Sequence, residues 1–447
     1  MPAPTTKFSP LRSLDDALAD LLAHVQPLTA TEVVATFDAD RRVLGSSITS
    51  NLQVPGFDNS AMDGYAVRSA DCTSANTVLR VAQRIAAGQF GQPLHAGEAA
   101  RIFTGAPMPP GADAVVMQED CVDVEVDVEE EEEEEEEVGV GANTGTGTSV
   151  GHASVRVTTQ PSAGQWVRKA GEDIAKGRVV LPAGTLLGPA ALGLAASIGL
   201  AELTVLRRAK VALFSTGDEL VMPGTVAPEA MRPGSIYNSN RFFLRALLQR
   251  AGAQVTDMGI VPDNRAATVA ALALAAQSHD LILTSGGVSV GEEDHIKPAV
   301  QQLGSLDLWS ISMKPGKPFA YGRIDRGTQA ISTTHFVGLP GNPVSSLVTF
   351  LLLVRPMLAV LQGQSVAATA ALSIAACALF TWPKADKRRE FLRARRNEDG
   401  AVDIYPNQSS GVLTSAVWAD GLVDNPAGCT IAQGDTVRFI PFSELLG

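Results

Sequence analysis

The chain has few cysteines and histidines, and those it has are scattered. The four cysteines, Cys72, Cys121, Cys377 and Cys429, form no CxxC pair and do not cluster with histidine. This distribution argues against a zinc site or a disulfide framework and is typical of proteins in a reducing cytoplasm. None of the six histidines falls in a recognisable metal-ligand spacing. We therefore expect any metal to be held by oxygen ligands.

Several familiar sequence signals are also absent. The chain contains no GxSxG nucleophile elbow, no GxxxxGK[ST] phosphate loop and no HExxH helix. It has no basic helix or basic aromatic strand, which argues against nucleic-acid binding. The apolar stretches 188–206 and 347–354 are too broken or too short to span a membrane, so we expect core helices there. The first residues lack the apolar core of a signal peptide, and we expect a cytoplasmic protein.

Much of the negative charge is concentrated in one segment. The formal net charge is −13, and Glu129 to Glu137 is an uninterrupted glutamate run followed by a Gly/Thr-rich tract. Like charges repel and glycine is costly to order, so residues 121–151 are predicted to form a disordered surface loop. The alternative is a polyanion that binds metal ions loosely.

The pattern of apolar residues changes along the 447-residue chain. Ser13 to Val25 predicts a capped amphipathic helix, Arg42 to Leu52 has strand character, and residues 71–117 predict a small β domain. From residue 209, strands alternate with helices, which predicts a mostly parallel, doubly wound sheet. The predicted strands are 210–214, 254–261, 280–283, 306–311 and 335–339, and the predicted helices are 240–251, 265–277 and 295–303. Residues 366–447 predict a small all-β domain.

Glycine-rich and charged loops follow these strands. The stretch 280–294, DLILTSGGVSVGEED, joins an apolar strand to paired glycines, hydroxyls and an acidic trio. Ligands of such sheets bind at the carboxyl ends of the strands, where Lys314 and Lys317 could neutralise an anion. The carboxylates Glu219, Asp263 and Asp294 suit Mg²⁺ bridging to phosphate oxygens. The alternative is a set of tight turns that bind nothing.

Three other polar segments are less informative on their own. The loops 54–67 and 103–109 contain Asp63 and Thr104, but such loops are often only turns. Thr104 is either a donor to an oxyanion or phosphate, or a turn threonine. A basic cluster is either a solvated face or a means of attracting an anion, and it comprises Arg388, Arg389, Arg393, Arg395 and Arg396.

Taken together, six motifs resemble one family. In chain order they are FDNSAMDGYAVR, TGAPMP, ALFSTGDEL, TSGGVSVGEED, MKPGKPFA and GLPGNPVSS. This set closely resembles the MoeA family of molybdopterin molybdenumtransferases, from Ser13 to about Phe442. The resemblance implies that adenylylated molybdopterin and molybdate are converted to molybdenum cofactor, with release of AMP and a requirement for Mg²⁺.

The resemblance also implies an α/β multidomain fold. Residues 1–50 and 173–208 would form an elongated, discontinuous α+β dimerisation domain, and 51–172 an inserted β-rich domain with the acidic loop 122–151. Residues 209–362 would form the doubly wound molybdopterin-binding domain, and 363–447 a C-terminal β-barrel-like domain. Family members are homodimers whose cleft joins the Asp63 domain of one subunit to the sheet domain of the other.

The same resemblance assigns roles to individual positions. The implied catalytic residues are Asp63, Thr104, Asp173, Glu219, Asp263 and Lys314. The implied substrate-binding residues are Ser215, Thr216, Gly217, Ser285, Gly286, Gly287, Ser289, Gly291, Lys317, Pro340, Gly341, Asn342, Pro343, Ser345 and either Ser409 or Ser410. The implied metal ligands are Asp294, Glu219 and Asp263, with the actual ligand among them left open. Ser310 stands where many members have a lysine, which leaves the charge facing the phosphate to Lys314 and Lys317.

Two other functions remain as alternatives. An adenylyltransferase of the preceding step would share the sheet domain but lack the DNSAMDGYA domain and the β tail. A gephyrin-like scaffold would be expected to carry a long Pro/Ser linker or a second sheet domain, neither of which is seen. The expected partners are a second copy of the chain and, transiently, the molybdopterin adenylyltransferase and molybdoenzyme acceptors, with no nucleic acid and no membrane.

Overall fold

The structure is a computed structural model that describes residues 11–124, 153–287, 295–326 and 333–446. The chain forms two compact units. Unit 1 comprises Met1–Ser46, Ala183–Leu192 and Glu202–Gly447, and unit 2 comprises Ser47–Pro182 and Gly193–Ala201. The predicted multidomain α/β fold is confirmed, with sheets that are mixed rather than purely parallel.

The helices mostly begin and end close to their predicted positions. Ser13 caps the first helix, where its hydroxyl accepts a hydrogen bond from the Asp16 N–H at 3.0 Å. In the described residues the helices are α1 Leu14–Ala23, α2 Pro189–Ser197, α3 Ser239–Arg250, α4 Arg265–Ala276, α5 Ile296–Leu303, α6 Pro343–Thr349, α7 Arg355–Leu361, α8 Leu413–Trp418 and α9 Phe442–Leu446.

The strands are numbered in chain order. Those of the first half are β1 Thr31–Ala35, β2 Ile48–Thr49, β3 Asn59–Ser60, β4 Gly64–Val67, β5 Thr77–Ile85, β6 Glu98–Ile102, β7 Ala114–Met117, β8 Cys121–Val124, β9 Ser154–Val157, β10 Val167–Arg168, β11 Val179–Leu181 and β12 Glu202–Leu206. Those of the second half are β13 Lys210–Thr216, β14 Leu220–Val221, β15 Ile236–Tyr237, β16 Gln254–Val261, β17 Leu281–Ser285, β18 Gly304–Ser310, β19 Met313–Lys314, β20 Pro318–Asp325, β21 Thr333–Leu339, β22 Ile374–Cys377, β23 Arg389–Arg396, β24 Val402–Ile404, β25 Gly421–Asn425 and β26 Thr436–Pro441.

The main sheet of unit 1 has the strand order β16-β13-β17-β21-β20-β18. Strands β16, β13, β17 and β21 are parallel. The apolar residues of β13, β17 and β21 are buried, whereas those of β16 at the end of the sheet are mostly half-buried. Strands β20 and β18 are antiparallel additions. The prediction of a mostly parallel sheet was therefore wrong for its last two strands. Strand β20 was not predicted, and it runs antiparallel to both β18 and β21.

The helical segment from α6 to α7 extends beyond the apolar run 347–354 at both ends. It runs without a break from Pro343 to Leu361 through a π-helical turn at Phe350–Val354. By length and composition alone it could cross a membrane, but 78% of its apolar window is buried inside the protein. The expectation of a core helix is thus supported by burial, whereas the argument that the run is too short was wrong.

Unit 2 is built on a mixed sheet with the order β7-β4-β6-β5-β9-β8. Strands β8 and β9 are antiparallel neighbours in which Val124 pairs with Ser154. Residues 121–124 therefore form a paired strand and not part of a disordered loop, which corrects the prediction there. The remainder of the acidic segment, including Glu129 to Glu137, lies outside the described residues. The predicted strand from Arg42 to Leu52 is also shorter in the structure, where β2 is limited to Ile48–Thr49.

Candidate functional site

The strand ends of the main sheet of unit 1 meet at one edge. Ser215 of β13 pairs with Ser285 of β17 and with Ile260 of β16, and Ser285 pairs with Leu339 of β21. The Gly286 N–H also donates to the Leu339 carbonyl at 3.0 Å. The predicted loops after β13, β16, β17 and β21 therefore begin side by side, as expected for a binding edge of a parallel sheet.

Glycine is required at three points of this edge. Gly217, Gly286 and Gly287 have φ angles of 138°, 89° and 65°. Residues with a side chain rarely adopt this positive-φ backbone conformation. A Cβ on Gly287 would lie 2.6 Å from Cγ1 of Ile296, and one on Gly217 would lie 2.5 Å from the Glu219 carboxylate. The absence of a Cβ at these positions lets the backbone pass close to Glu219 and Ile296, and it lets a ligand approach the backbone closely.

Hydroxyl groups are buried beneath these glycines. Ser215 and Thr284 have no exposed surface, and the hydroxyl of each is without a hydrogen-bond partner within the described ranges. A buried hydroxyl left without a partner costs about 1–3 kcal/mol. Ser285 and Ser345 are almost as deeply buried. These polar groups beneath a glycine edge fit a site that receives a polar ligand.

The loop before α6 is held firmly against this edge. Asn240 of α3 donates its side-chain amide to the Gly341 carbonyl at 2.8 Å, and the Ser346 hydroxyl donates to the Pro340 carbonyl. Asn342 stands at the N-cap of α6 and Pro343 in its first turn. The Val344 N–H donates to the Ser410 carbonyl at 3.0 Å. This contact brings the predicted Ser409–Ser410 turn to the start of α6.

The two predicted lysines have different surroundings. The Lys314 ammonium lies 2.9 Å from the Glu390 carboxylate and 3.5 Å from that of Asp386. The side chain of Glu390 is buried, so the charge of Lys314 is partly neutralised. Lys317 is exposed and forms no ion pair with any residue that the structure describes. Lys317 therefore offers the freer positive charge.

The predicted carboxylates are only partly described. Glu219 lies against Gly217. Asp263 is half-buried after β16, just before Asn264 caps α4. Asp294, Ser289 and Gly291 lie outside the described residues. In the part of the chain that the structure covers, no three His, Cys, Asp or Glu side chains are grouped to hold a metal.

Arg393 of β23 belongs to the basic cluster seen in the sequence, but it was not among the predicted site residues. Its side chain is only 1% exposed, and its guanidinium donates to the Ser415 hydroxyl at 3.1 Å and to the Phe391 and Ser409 carbonyls at 3.2 and 3.4 Å. It forms no ion pair with a described carboxylate, and burial lowers its pKa to about 10. For Arg393, the solvated-face interpretation of the basic cluster was wrong. A buried cation without a counter-ion beside the Ser409 turn suits an anion.

Unit 2 brings two of its predicted residues together. The Asp63 carboxylate accepts hydrogen bonds from both the backbone N–H and the hydroxyl of Thr104, each at 2.7 Å. The backbone N–H of Thr104, followed by its hydroxyl, lowers the pKa of Asp63. Both residues are exposed, so the ionised carboxylate is fixed in position at the surface.

The strand before Asp63 is tied to the segment that leads to Asp173. Strands β3 and β10 pair, and Lys169 forms an ion pair with Asp58 at 2.8 Å. Val54 forms an isolated antiparallel bridge with Ile174, next to Asp173. Asp173 is exposed and forms no side-chain hydrogen bond with Asp63 or Thr104. Unit 2 thus joins Asp63 to Thr104, but not Asp173 to either.

Family models match most of the chain. Residues 12–199 match the model described as MoeA N-terminal region (domain I and II), and residues 212–360 match that of a probable molybdopterin binding domain. Residues 375–442 match the MoeA C-terminal region (domain IV). Together these matches cover both units and the residues of the sheet edge.

Curated relatives and solved structures agree with these matches. The chain is 37% identical to a molybdopterin molybdenumtransferase of Haemophilus influenzae, over 97% of this chain and 100% of the relative. It is 37% identical to molybdopterin molybdenumtransferase 2 of Mycobacterium tuberculosis, over 92% of this chain and 93% of the relative. A crystal structure of the MoeA protein of Pyrococcus horikoshii is similar with a TM-score of 0.78 and 25% identity, covering 96% of this chain and 100% of that one.

Proposed function

The chain belongs to the MoeA family of molybdopterin molybdenumtransferases, transferases of molybdenum cofactor biosynthesis, and from that premise we propose that it inserts molybdenum from molybdate into adenylylated molybdopterin with release of AMP. Relatives with this name align with nearly the full chain. Because both substrates are anions, the site must compensate negative charge and exclude most of the water around it.

The observation that carries this proposal is the register of the strand ends. Ser215, Ser285 and Leu339 are neighbours across three parallel strands, and each is followed by a glycine within two residues. Glycine-rich loops at such an edge let the pyrophosphate of the adenylylated pterin approach the backbone closely. In the proposal, Thr216, Gly217, Gly286, Gly287 and Gly341 contact this group, and Ser289, Gly291, Pro340, Asn342, Pro343 and Ser345 complete the binding loops.

Positive charge at this edge would come from three residues. Lys317 is exposed and free to neutralise phosphate oxygens. Lys314 is paired with Glu390, which would hold its ammonium group at the rim of the site. Arg393, buried behind Ser409, would face the molybdate anion, for which its planar guanidinium offers several donors. We therefore place the pyrophosphate at the glycine loops and the molybdate near Ser409 in this proposal.

We also propose Mg²⁺ as the metal of this site. Glu219 and Asp263 provide hard oxygen ligands near the strand ends, and Asp294 would complete the set. The carboxylate of Asp263 has no hydrogen-bond partner among described residues, so it is available to a cation. When bound, the ion would supply positive charge that offsets the phosphate oxygens.

Unit 2 would contribute the other half of the site. Asp63, fixed by Thr104, and the exposed Asp173 are the residues that we propose for this half. In a homodimer, unit 2 of one subunit would face the sheet edge of its partner. We further propose a cytoplasmic location and transient contacts with the molybdopterin adenylyltransferase, which supplies the substrate, and with molybdoenzymes, which receive the product.

The proposal is tested by AMP release from purified protein supplied with adenylylated molybdopterin, molybdate and Mg²⁺. AMP should appear with all three present and should stop when a chelator removes Mg²⁺. Asp63→Ala should abolish release with little change in melting temperature, since Asp63 is exposed. Wild-type protein that releases no AMP, or a large fall in the melting temperature of the variant, would contradict the assignment.

A further inference from the structure

Unit 1 contains a cavity of about 200 Å³ far from the sheet edge described above. Its lining includes Arg207 and Arg208, which precede β13, and Ala251 and Gly252, which precede β16. The cavity is thus at the amino ends of these strands, while the candidate site is at their carboxyl ends. A strand of the length of β13 spans roughly 20 Å, so the two sites are separate.

Arginine dominates the polar lining of this cavity. Six arginines contribute to it, namely Arg41, Arg42, Arg207, Arg208, Arg250 and Arg355. Glu444 is the acidic residue in the lining. Such a concentration of positive charge stands out in a chain with a net charge of −13.

Only part of this charge is neutralised within the protein. Arg207 forms a bidentate pair with Asp280 at 2.7 and 2.8 Å, and Arg42 pairs with Glu32. By contrast, Arg208, Arg250 and Arg355 form no ion pair with any residue of the described ranges.

The unpaired arginines also crowd one another or are desolvated. Arg208 donates to the Gly252 carbonyl at 3.1 Å, and Arg355 donates to the Thr369 carbonyl at 2.7 Å. Burial, and then the nearby guanidinium of Arg42, lower the pKa of Arg208. Burial likewise lowers the pKa of Arg355. Like charges held together in this way are stabilised when an anion binds between them.

We propose that this cavity is a second anion site, which binds a small molecule through a phosphate group. Guanidinium groups match phosphate oxygens with paired hydrogen bonds, which favours a phosphate over a halide. The lining also includes Leu247, Phe350 and Leu445, so an organic body attached to the phosphate would find apolar contacts. The size fits a single small ligand.

Binding of inorganic phosphate and of AMP to the full-length protein tests this site, by calorimetry at constant ionic strength. The double variant Arg208→Gln/Arg250→Gln should lose one phosphate equivalent or bind it at least about tenfold more weakly. Arg245→Gln is the matched control, because Arg245 is exposed on the same helix as Arg250 but does not line the cavity. This control should bind phosphate as the wild type does.

The two ligands distinguish the source of the phosphate. Tighter binding of inorganic phosphate would indicate that the ligand is the free anion. Tighter binding of AMP would indicate that the apolar lining residues contact an organic body. If the double variant folds poorly, Arg250→Gln alone serves, since the side chain of Arg250 makes no hydrogen bond within the described part of the chain. Equal binding by wild type and variants, or an equal loss in Arg245→Gln, would overturn the proposal. AMP release should persist in the double variant, which keeps this test independent of the sheet-edge site.

Discussion

The Asp63 carboxylate is held by both donors of Thr104, since the backbone N–H and the hydroxyl each donate to Oδ1 at 2.7 Å. The two residues are 41 positions apart in the sequence and meet because β4 and β6 pair. These bonds favour the ionised carboxylate and lower the pKa of Asp63. The ionised carboxylate of Asp63 is therefore exposed and held in one orientation.

Replacing Thr104 with valine should disturb Asp63 without unfolding unit 2. Thr104→Val removes the hydroxyl and keeps the N–H, so the pKa of Asp63 should rise part of the way to its usual range. AMP release should fall between about 10- and 100-fold, because the carboxylate is less well oriented. Carboxyl NMR titration and AMP assays measure the two effects.

Thr104→Ser is the control and should retain the low pKa of Asp63 and most of the activity. The lowered pKa of Asp63 also determines how its contribution to stability changes with pH. Because the folded pKa of Asp63 is lowered, its contribution to stability is present above the unfolded pKa and is lost as the pH falls through the folded value. An unchanged pKa in Thr104→Val would contradict the role assigned to the hydroxyl.

Mixed dimers test whether Asp63 acts on the sheet edge of the partner subunit. Asp63→Ala and Lys317→Ala homodimers should each be inactive. A heterodimer of the two variants should recover about half of the wild-type rate, because one of its two sites combines only intact halves. An inactive heterodimer would show that each subunit builds its site alone. The AMP release assay on purified heterodimer gives the answer.

Arg393 should govern the affinity for molybdate. Arg393→Met keeps an apolar stem of similar length but removes the buried cation, so KM for molybdate should rise at least about tenfold while KM for the pterin changes little. Loss of its hydrogen bonds should lower stability by about 1–3 kcal/mol. Arg395→Met is the matched control, since Arg395 is exposed on the same strand. A parallel change in both KM values would indicate general damage.

Removing the acidic segment should leave the reaction intact. Val124 and Ser154 are paired across β8 and β9, so the chain between them joins adjacent strand ends. Deletion of residues 129–147 still leaves enough chain to connect these ends. AMP release and melting temperature should stay close to the wild-type values. An inactive but folded deletion variant would assign a function to the glutamate run.

The sequence predicted the parallel core of the sheet more accurately than its edge. Strand β16 was predicted with its observed bounds, Gln254–Val261, and the motif loops follow the strands as expected. Strand β20, Pro318–Asp325, was missed because Pro318, Gly322 and Arg323 interrupt its apolar pattern. Its antiparallel pairing with β18 depends on contacts that periodicity does not encode.

Some of the site residues could likewise be predicted from the sequence, and others could not. Glycine, lysine and hydroxyl positions after the strands were visible as local motifs. Arg393 was not, because it lies in a basic run whose members differ only in which face of β23 they occupy. The hydrogen bonds between Asp63 and Thr104 also depend on strand pairing between distant segments. Each of the two loops, taken alone, therefore looked like an ordinary turn.

The most direct measurement is the ratio of molybdenum inserted to AMP released in a single turnover. Protein is loaded with adenylylated molybdopterin, molybdate and Mg²⁺ are added, and AMP and pterin-bound molybdenum are quantified together. We expect equal amounts of the two, and no AMP when molybdate is omitted. AMP release that does not depend on molybdate, or AMP without pterin-bound molybdenum, would contradict the assignment as a molybdenumtransferase.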